Sequence, residues 1–294
     1  MAEITMELIK ELREKTQVGM MDCKKALQET NGDIEKAVEL LRKKGAAVAQ
    51  KRAGNATDNG HIEACINENN TKGVLLRMSC ETDFSANTID MKNFAKDTCS
   101  HILNKKTKTI EQLLGEVLFN GKITIQEKLE ELIAKIAESI KTEEFVMFET
   151  NLSGLVNAYI HPGANLGILI ELKADKEISG ANREKVQQLA HDICMQIAVT
   201  SPLAISSKDL DKNLIEKEQA IIKEQLLNSG KQPNMIEKIM LGKISKYYEE
   251  VCLEDQVYIK NDKLKIKQLL ENTSKETGLK LEIKEFARFS VGKK

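Results

Sequence analysis

Between residues 60 and 170 the apolar positions fall twice into one order: an alternating stretch, a turn, then a short unbroken apolar run. Gly60, Ile62, Ala64, Ile66, Gly73, Val74, Leu75 and Leu76 recur 94 positions later as Gly154, Val156, Ala158, Ile160, Gly167, Ile168, Leu169 and Ile170. Alternation is what a strand buried on one face requires, and the run 73–78 has the length and branching of a half-buried strand. At an offset of 95 the pattern continues with Phe94, Ala95, Asp97, Cys99 and Ile102 against Leu189, Ala190, Asp192, Cys194 and Ile197. Each copy reads strand, turn, strand, loop, helix. Two strands and a helix do not close a core, so each copy is expected to recruit a third strand. Residues 144–149 suit the first copy; residues 279–289, where Leu279, Leu281 and Ile283 alternate, suit the second. The fold class predicted is α+β, with two related α+β core subdomains side by side.

Outside the repeat the period is helical. Residues 4–44 carry three apolar stripes: Ile4, Leu8, Ile9 and Leu12; Met20, Cys23, Ala26 and Leu27; Ile34, Ala37, Val38 and Leu41. Residues 16–19 and 31–33 break them, and Gly45 reads as a C-cap after three basic residues. A unit of about 45 residues is small for independent stability and is expected to lean on a neighbour or partner. Met20 and Met21 cannot both face one core, so one either fills a gap or stays outside as an adaptable contact. Residues 46–60, with Lys51, Arg52 and a turn-rich 54–60, read as a connector. Thr124 to Glu127 forms a capping-box signature ahead of Leu129, Leu132, Ile133, Ile136 and Ile140, predicting an amphipathic helix. After Ser201-Pro202, apolar positions from Leu210 to Leu226 and from Met235 to Val251 flank a turn at Asn228-Ser229-Gly230-Lys231-Gln232-Pro233. This predicts an antiparallel helical hairpin reaching roughly 30 Å. Such an arm either grips another molecule or copy, or packs down on its own lobe. The domains expected are 1–54, a three-helix module with its linker; 55–152, the first core subdomain; 153–200 with 254–294, the second; and 201–253, the inserted hairpin.

Composition changes this picture mainly by exclusion. Of 294 residues 30% are charged, yet the formal net charge is only -1, so nothing draws the whole molecule onto nucleic acid or an anionic bilayer. A protein partner fits better. Cysteines 23, 65, 80, 99, 194 and 252 show neither close pairing nor metal-type spacing, which fits reduced thiols in a cytosol. His191 and Cys194 stand one helical turn apart, and a buried helix face accounts for them better than a metal site. The opening Met-Ala-Glu-Ile-Thr lacks a signal peptide's basic and apolar regions, and no stretch approaches a membrane span. The expected localisation is cytoplasmic, with no membrane contact.

Chemistry-bearing motifs do not emerge. The phosphate-loop, dinucleotide and nucleophile-elbow patterns have no counterpart. His61, His101, His161 and His191 lack accompanying acid or nucleophile spacing, and His61 and His101 read as surface or edge residues. The expectation is a protein with no catalytic residue, no metal and no cofactor, hence not an enzyme. His161 is distinct because residues 161–165 form the turn between the two strands of the second copy, where its role is either idle or a contact.

One stretch stands out, Cys80-Glu81-Thr82-Asp83-Phe84-Ser85-Ala86-Asn87. Thr82 and Asp83 are N-cap types between the strand run and the helix marked by Met91, Phe94, Ala95, Thr98 and Ile102. A turn between rigid elements is where contact residues are displayed. From spacing alone, Phe84 either folds back into its own core or is shown to a partner.

The assembled motifs carry a resemblance. Leu12-Arg13-Glu14-Lys15-Thr16, Gly19-Met20-Met21-Asp22-Cys23-Lys24-Lys25-Ala26-Leu27, Asn31-Gly32-Asp33, Leu41-Arg42-Lys43-Lys44-Gly45, Thr82-Asp83-Phe84, His161 with Gly163-Ala164, and Phe286-Ala287-Arg288-Phe289 together resemble the bacterial elongation factor Ts family, the exchange factors of elongation factor Tu. Ser85 stands where that family usually has valine, and Ala137 and Ser139 replace a Gly and an Asn of its pattern. The resemblance implies a ubiquitin-associated-like N-terminal module, two core subdomains and an inserted coiled-coil hairpin. It further implies that Asp83 and Phe84, with Thr82 beside them as a partner-binding residue, wedge into the GTPase domain of elongation factor Tu near its magnesium and phosphate site. Arg13, Met20, Met21 and Lys24 would touch that domain, and His161 would help hold the partner's third domain. Whether the complex forms a homodimer stays open. The rival reading is a nucleic-acid-binding protein using the N-terminal module with Lys51 and Arg52; the mixed charges disfavour it, and no direct nucleic acid contact is expected.

Overall fold

A computed structural model describes residues 4–16, 18–118, 121–228 and 233–292. The break read at 16–19 and the hairpin turn read at 228–233 therefore fall partly outside the described residues, at 17 and 229–232. Helices α1 (Met6–Thr16), α2 (Met20–Glu29) and α3 (Ile34–Arg52) lead into strands β1 (Asn59–Ile66) and β2 (Lys72–Cys80). Helices α4 (Asp83–Asn87), α5 (Ile89–Lys105), α6 (Ile110–Gly115) and α7 (Ile125–Ile136) precede β3 (Ile140–Glu149). The second half runs β4 (Gly154–Ile160), β5 (Leu166–Ala174), α8 (Ala181–Thr200), α9 (Lys212–Asn228) and α10 (Pro233–Val251). It closes with a ribbon of β6 (Val257–Tyr258) and β7 (Asn261–Lys265), then α11 (Ile266–Thr277) and β8 (Leu281–Ser290).

The first three helices bury a small core of Ile9, Leu12, Cys23, Ala26, Leu27, Ala37 and Leu41. Gly45 does not end α3, which continues to Arg52 through the first half of the expected connector. A Cβ at Gly45 would lie 3.2 Å from the Ala134 Cβ and 3.3 Å from the Glu130 carbonyl oxygen of α7. The missing side chain thus permits a close helix crossing rather than a helix stop. Arg42 reaches Glu131 at 3.2 Å beside it, so the small helical core does lean on its neighbour.

Two antiparallel sheets follow, ordered β1-β2-β3 and β4-β5-β8. Both slip register at corresponding points, between Arg77 and Met78 and between Glu171 and Leu172. The sheets pack face to face, not side by side: Ile62, Leu75 and Phe148 meet Val156 and Leu169. Consequently β2 is buried on both faces rather than half-buried, with Val74, Leu76 and Met78 turned toward α5 and Leu75 toward the other sheet. The layers run helix, sheet, sheet, helix.

The contact between sheets is nearly two-fold symmetric. A Cβ at Gly73 would come within 2.7 Å of Val156 and 3.0 Å of Leu169, while one at Gly167 would come within 2.6 Å of Ile62 and 2.9 Å of Leu75. The Ile62 amide donates to the Ala164 carbonyl at 2.7 Å, and the Val156 amide donates to the Asn70 carbonyl at 2.7 Å. Both acceptors have left-handed backbones, with φ 48 at Asn70 and φ 53 at Ala164. Each edge strand grips the other lobe's turn, the arrangement of an isologous interface.

The repeat extends further than the apolar pattern revealed. Helices α7 and α11 correspond at a constant spacing, Ile125 to Ile266 and Leu129 to Leu270, all four buried. The Thr124 amide donates to Glu127 at 2.8 Å and the Glu127 amide to the Thr124 hydroxyl at 3.1 Å, completing the expected box. In α11 only the reach-back half survives, with the Lys265 amide donating to Gln268 at 2.9 Å. Helix α7 ends at Ile136, so Ile140 belongs to β3 and not to the helix; Ala137 turns the chain at φ 61, where α11 uses Gly278 at φ 68. Helices α9 and α10 are inserted between α8 and α11, sharing a seam of Ile222, Leu226, Ile236 and Ile244. Leu210 precedes α9 and packs at its root with Ala204 and Cys252.

Of two histidines read as surface or edge, His61 does lie on edge strand β1, yet both rings are buried. His101, 1% exposed, has Nε2 at 2.7 Å from Glu116 Oε2, and buried His61 has Nε2 at 3.2 Å from Glu63. Pairing with a carboxylate offsets the burial of each ring. Among the described residues no helix is long and apolar enough to cross a membrane.

Candidate functional site

The strand β2 ends in buried Cys80, and the next residues turn outward. Thr82 has an extended backbone and caps α4 by accepting from the Ser85 amide at 3.3 Å. A second cap, Thr88, accepts from the Met91 amide at 3.2 Å and starts α5. The cap read at 82–83 therefore serves a separate five-residue helix rather than the long one. Helix α4 buries Ser85 and Ala86, which leaves Asp83 and Phe84 on its outer side. Phe84 is 83% exposed, the most exposed large apolar side chain among the described residues. Ile89 is 73% exposed five residues later.

This display rests on two carboxylates that sequence reasoning missed. Glu138 accepts from the Thr82 amide at 3.0 Å and from its hydroxyl at 2.8 Å. Glu81 accepts from the Ser139 amide at 2.6 Å, Asn55 at 3.0 Å and Arg52 at 3.1 Å. The Ser139 amide, with Asn55 and Arg52, holds the Glu81 carboxyl below the usual carboxylate range. The Asn59 side chain donates to the Glu81 carbonyl at 2.8 Å. Thus the end of α3, the start of β1 and the α7-β3 junction all converge beneath the turn. The Cys80 thiol, pushed up to about 11 chiefly by burial, is an inert part of that floor. The signal available in the sequence was Glu81 itself, a charge wedged between a core cysteine and a cap.

Other expected contact residues are exposed but spread out. His161 is exposed on the β4-β5 turn, with Nδ1 at 3.1 Å from the Tyr159 hydroxyl. That turn and α4 border one cleft of about 230 Å³, lined among others by Asp58, Asp83, Asn87, Gly163 and Asn165. The first lobe's helix and the second lobe's turn therefore share a face. Arg13 lies exposed on α1, and Met20, Met21 and Lys24 lie exposed on α2; both methionines are outside the core. The end of α1 meets the first lobe at α5, where Lys15 and Thr16 border a cleft of about 120 Å³ with Asp90 and Phe94. Lys135 reaches Asp90 at 2.7 Å across the same junction.

Among the described residues no cluster of His, Cys, Asp and Glu could hold a metal ion. The site offers an exposed ring, a neighbouring carboxylate and a braced scaffold, which is the equipment of a binding surface.

Comparisons with known proteins agree with the motif resemblance. A family model described as Elongation factor TS matches residues 81–293. A protein called elongation factor Ts from Clostridium perfringens (strain SM101 / Type A) is 44% identical over 289 residues, covering 98% of this chain and 93% of the relative. Proteins of the same name from Clostridium acetobutylicum (strain ATCC 824) and Clostridium botulinum (strain Alaska E43 / Type E3) are 41% and 40% identical, each covering 98% of this chain and 92% and 93% of the relative.

Proposed function

The chain belongs to the elongation factor Ts family, and from that premise we propose that it binds elongation factor Tu and promotes release of GDP and its exchange for GTP, with Asp83 and Phe84 as the wedge. A GTPase holds GDP through magnesium and a preorganised phosphate loop. A second protein speeds release only by binding better to the conformation in which those contacts are broken. Coupling is reciprocal, so nucleotide with magnesium in turn expels the exchange factor. No covalent step and no cofactor enter this scheme.

The observation that carries the reading is the exposure of Phe84 on a helix fixed by Thr82, Glu138 and Glu81. A free ring on a mobile loop would lose ordering entropy on binding; a ring on a braced helix loses less. The finer assignments follow the same premise. Helices α1 to α3 act as the ubiquitin-associated-like module, with Arg13, Met20, Met21 and Lys24 touching the GTPase domain. The β4-β5 turn with His161 touches the partner's third domain, and α9 and α10 form the coiled-coil hairpin. The place of action is the cytoplasm, where translation occurs.

The test is release of labelled GDP from elongation factor Tu. The chain accelerates release, and Phe84→Ala lowers the acceleration by roughly 30-fold, the equivalent of a hot spot of about 2 kcal/mol. Wild-type speed from a folded Phe84→Ala protein would remove the wedge from the mechanism.

A further inference from the structure

The first lobe brings together two cysteines that lie far apart in the sequence. Cys65 is half-buried on edge strand β1, with its sulfur 3.6 Å from the Ser100 hydroxyl of α5. Cys99, the preceding residue on α5, is fully buried and points its thiol between the carbonyls of Val74 at 3.7 Å and Glu63 at 3.9 Å. Val74 is the residue directly opposite Cys65 across β1 and β2, so Cys99 lies directly over the Cys65 position. Both sulfurs therefore lie in the layer between α5 and the β1-β2 pair, where Cys65 packs against the core cluster that holds Cys99. In the second lobe the matching helix position is Cys194, but the matching strand position is Tyr159, so the pairing belongs to the first lobe alone.

We propose that Cys65 and Cys99 form a reversible disulfide in response to peroxide, Cys65 attacking first and Cys99 resolving. The surroundings divide the two roles. The neighbouring Cys99 thiol brings the Cys65 thiol down to about 7, helped by Ser100 and Lys96 of α5 and opposed by burial and by Glu63 on its own strand. The same pairing and its burial push Cys99 well up, which keeps its proton in place. Cys65, the accessible member of the pair, is thereby favoured as thiolate, the nucleophilic form. Its sulfur attacks one peroxide oxygen, breaking the O–O bond, giving a sulfenic acid and, with a proton, one water. Cys99 sulfur then displaces the sulfenic oxygen, which leaves as a second water with the Cys99 proton. Two thiols and one peroxide become one disulfide and two waters. The bond closes the loop from 65 to 99, which contains α4.

The remaining cysteines supply internal controls. Burial raises Cys23, lifts Cys80 and Cys252 each to about 11, and lifts Cys194 further still. The experiment treats the full chain with hydrogen peroxide at neutral pH and maps the products by peptide mass. The expected product is a single Cys65–Cys99 cross-linked peptide, reversed by dithiothreitol and absent in Cys65→Ser. With the reduced native protein, iodoacetamide should label Cys65 at least roughly tenfold faster than any other cysteine at pH 7, with a midpoint near that pH. In Cys99→Ala the midpoint moves up toward the ordinary thiol range and oxidation stops at the Cys65 sulfenic acid. Absence of the cross-linked peptide from oxidised wild type, or Cys65 labelling that rises only near pH 9, overturns the proposal.

Discussion

The two lobes share their sheets, their flanking helices and even their register slips, and, apart from the inserted helical arm, they part where the second strand passes to the helix. At the strand spacing of the repeat, Phe84 corresponds to Ile178. Phe84 is 83% exposed and Ile178 is 2% exposed. In the second lobe the connection folds back: the Ile178 amide donates to Leu152 at 2.9 Å and the side chain enters the core beneath α8. In the first lobe Thr82, Ser85 and Thr88 build a short helix that occupies the equivalent place, and the apolar residue is lifted away. One scaffold thus uses the same apolar position once for cohesion and once for recognition. An exposed large side chain is informative only when its surroundings are rigid enough to hold it there, and here they are.

Substitutions at matched positions sharpen that contrast. The largest expected effect on stability is at Ile178, where truncation to Ala should cost about 2–4 kcal/mol in urea unfolding through lost burial and a residual cavity. Phe84→Ala should change the same measurement by less than about 0.5 kcal/mol, since an exposed ring contributes little to its own fold. Similar losses at both positions would mean that the two connections are not used differently. Next comes Thr82→Ala, expected to cost about 1 kcal/mol as the cap of α4 is lost, and to slow GDP release although Phe84 remains. The matched Lys176 is exposed, and Lys176→Ala should be silent in both assays. The smallest effect is expected at the turn before the third strand. Ala137→Gly should raise stability by up to about 1 kcal/mol, because a left-handed backbone strains a residue with a Cβ. Gly278→Ala at the matched turn should lower it by a similar amount, and thermal melts would read both.

The repeat was legible because both sheets impose the same alternation, and β1, β2, β4, β5 and the two third strands follow from it. Its continuation into α7 and α11 was not, since Leu132 and Ile133 are replaced by Thr273 and Ser274 and the shared stripe shortens. Gly45 was misread because a glycine after basic residues looks the same whether it ends a helix or lets another helix cross it. The burial of His101 depends on Glu116, a partner from a neighbouring element that no local pattern announces. At the candidate site the sequence marked Thr82, Asp83 and Phe84, but spacing alone left the direction of the ring open. What decides it is Glu138 and Glu81, whose partners come from segments scattered over more than eighty residues.

The reciprocal grip of Ile62 on Ala164 and Val156 on Asn70 has a consequence for how the molecule assembles. Each half completes its edge only with the other half's turn, so the two edges are satisfied together. A calorimeter should record the pair of lobes as one melting event, and the long gap between α8 and α11 lies outside that clasp, which is why a whole helical arm could be accommodated there without prising the halves apart.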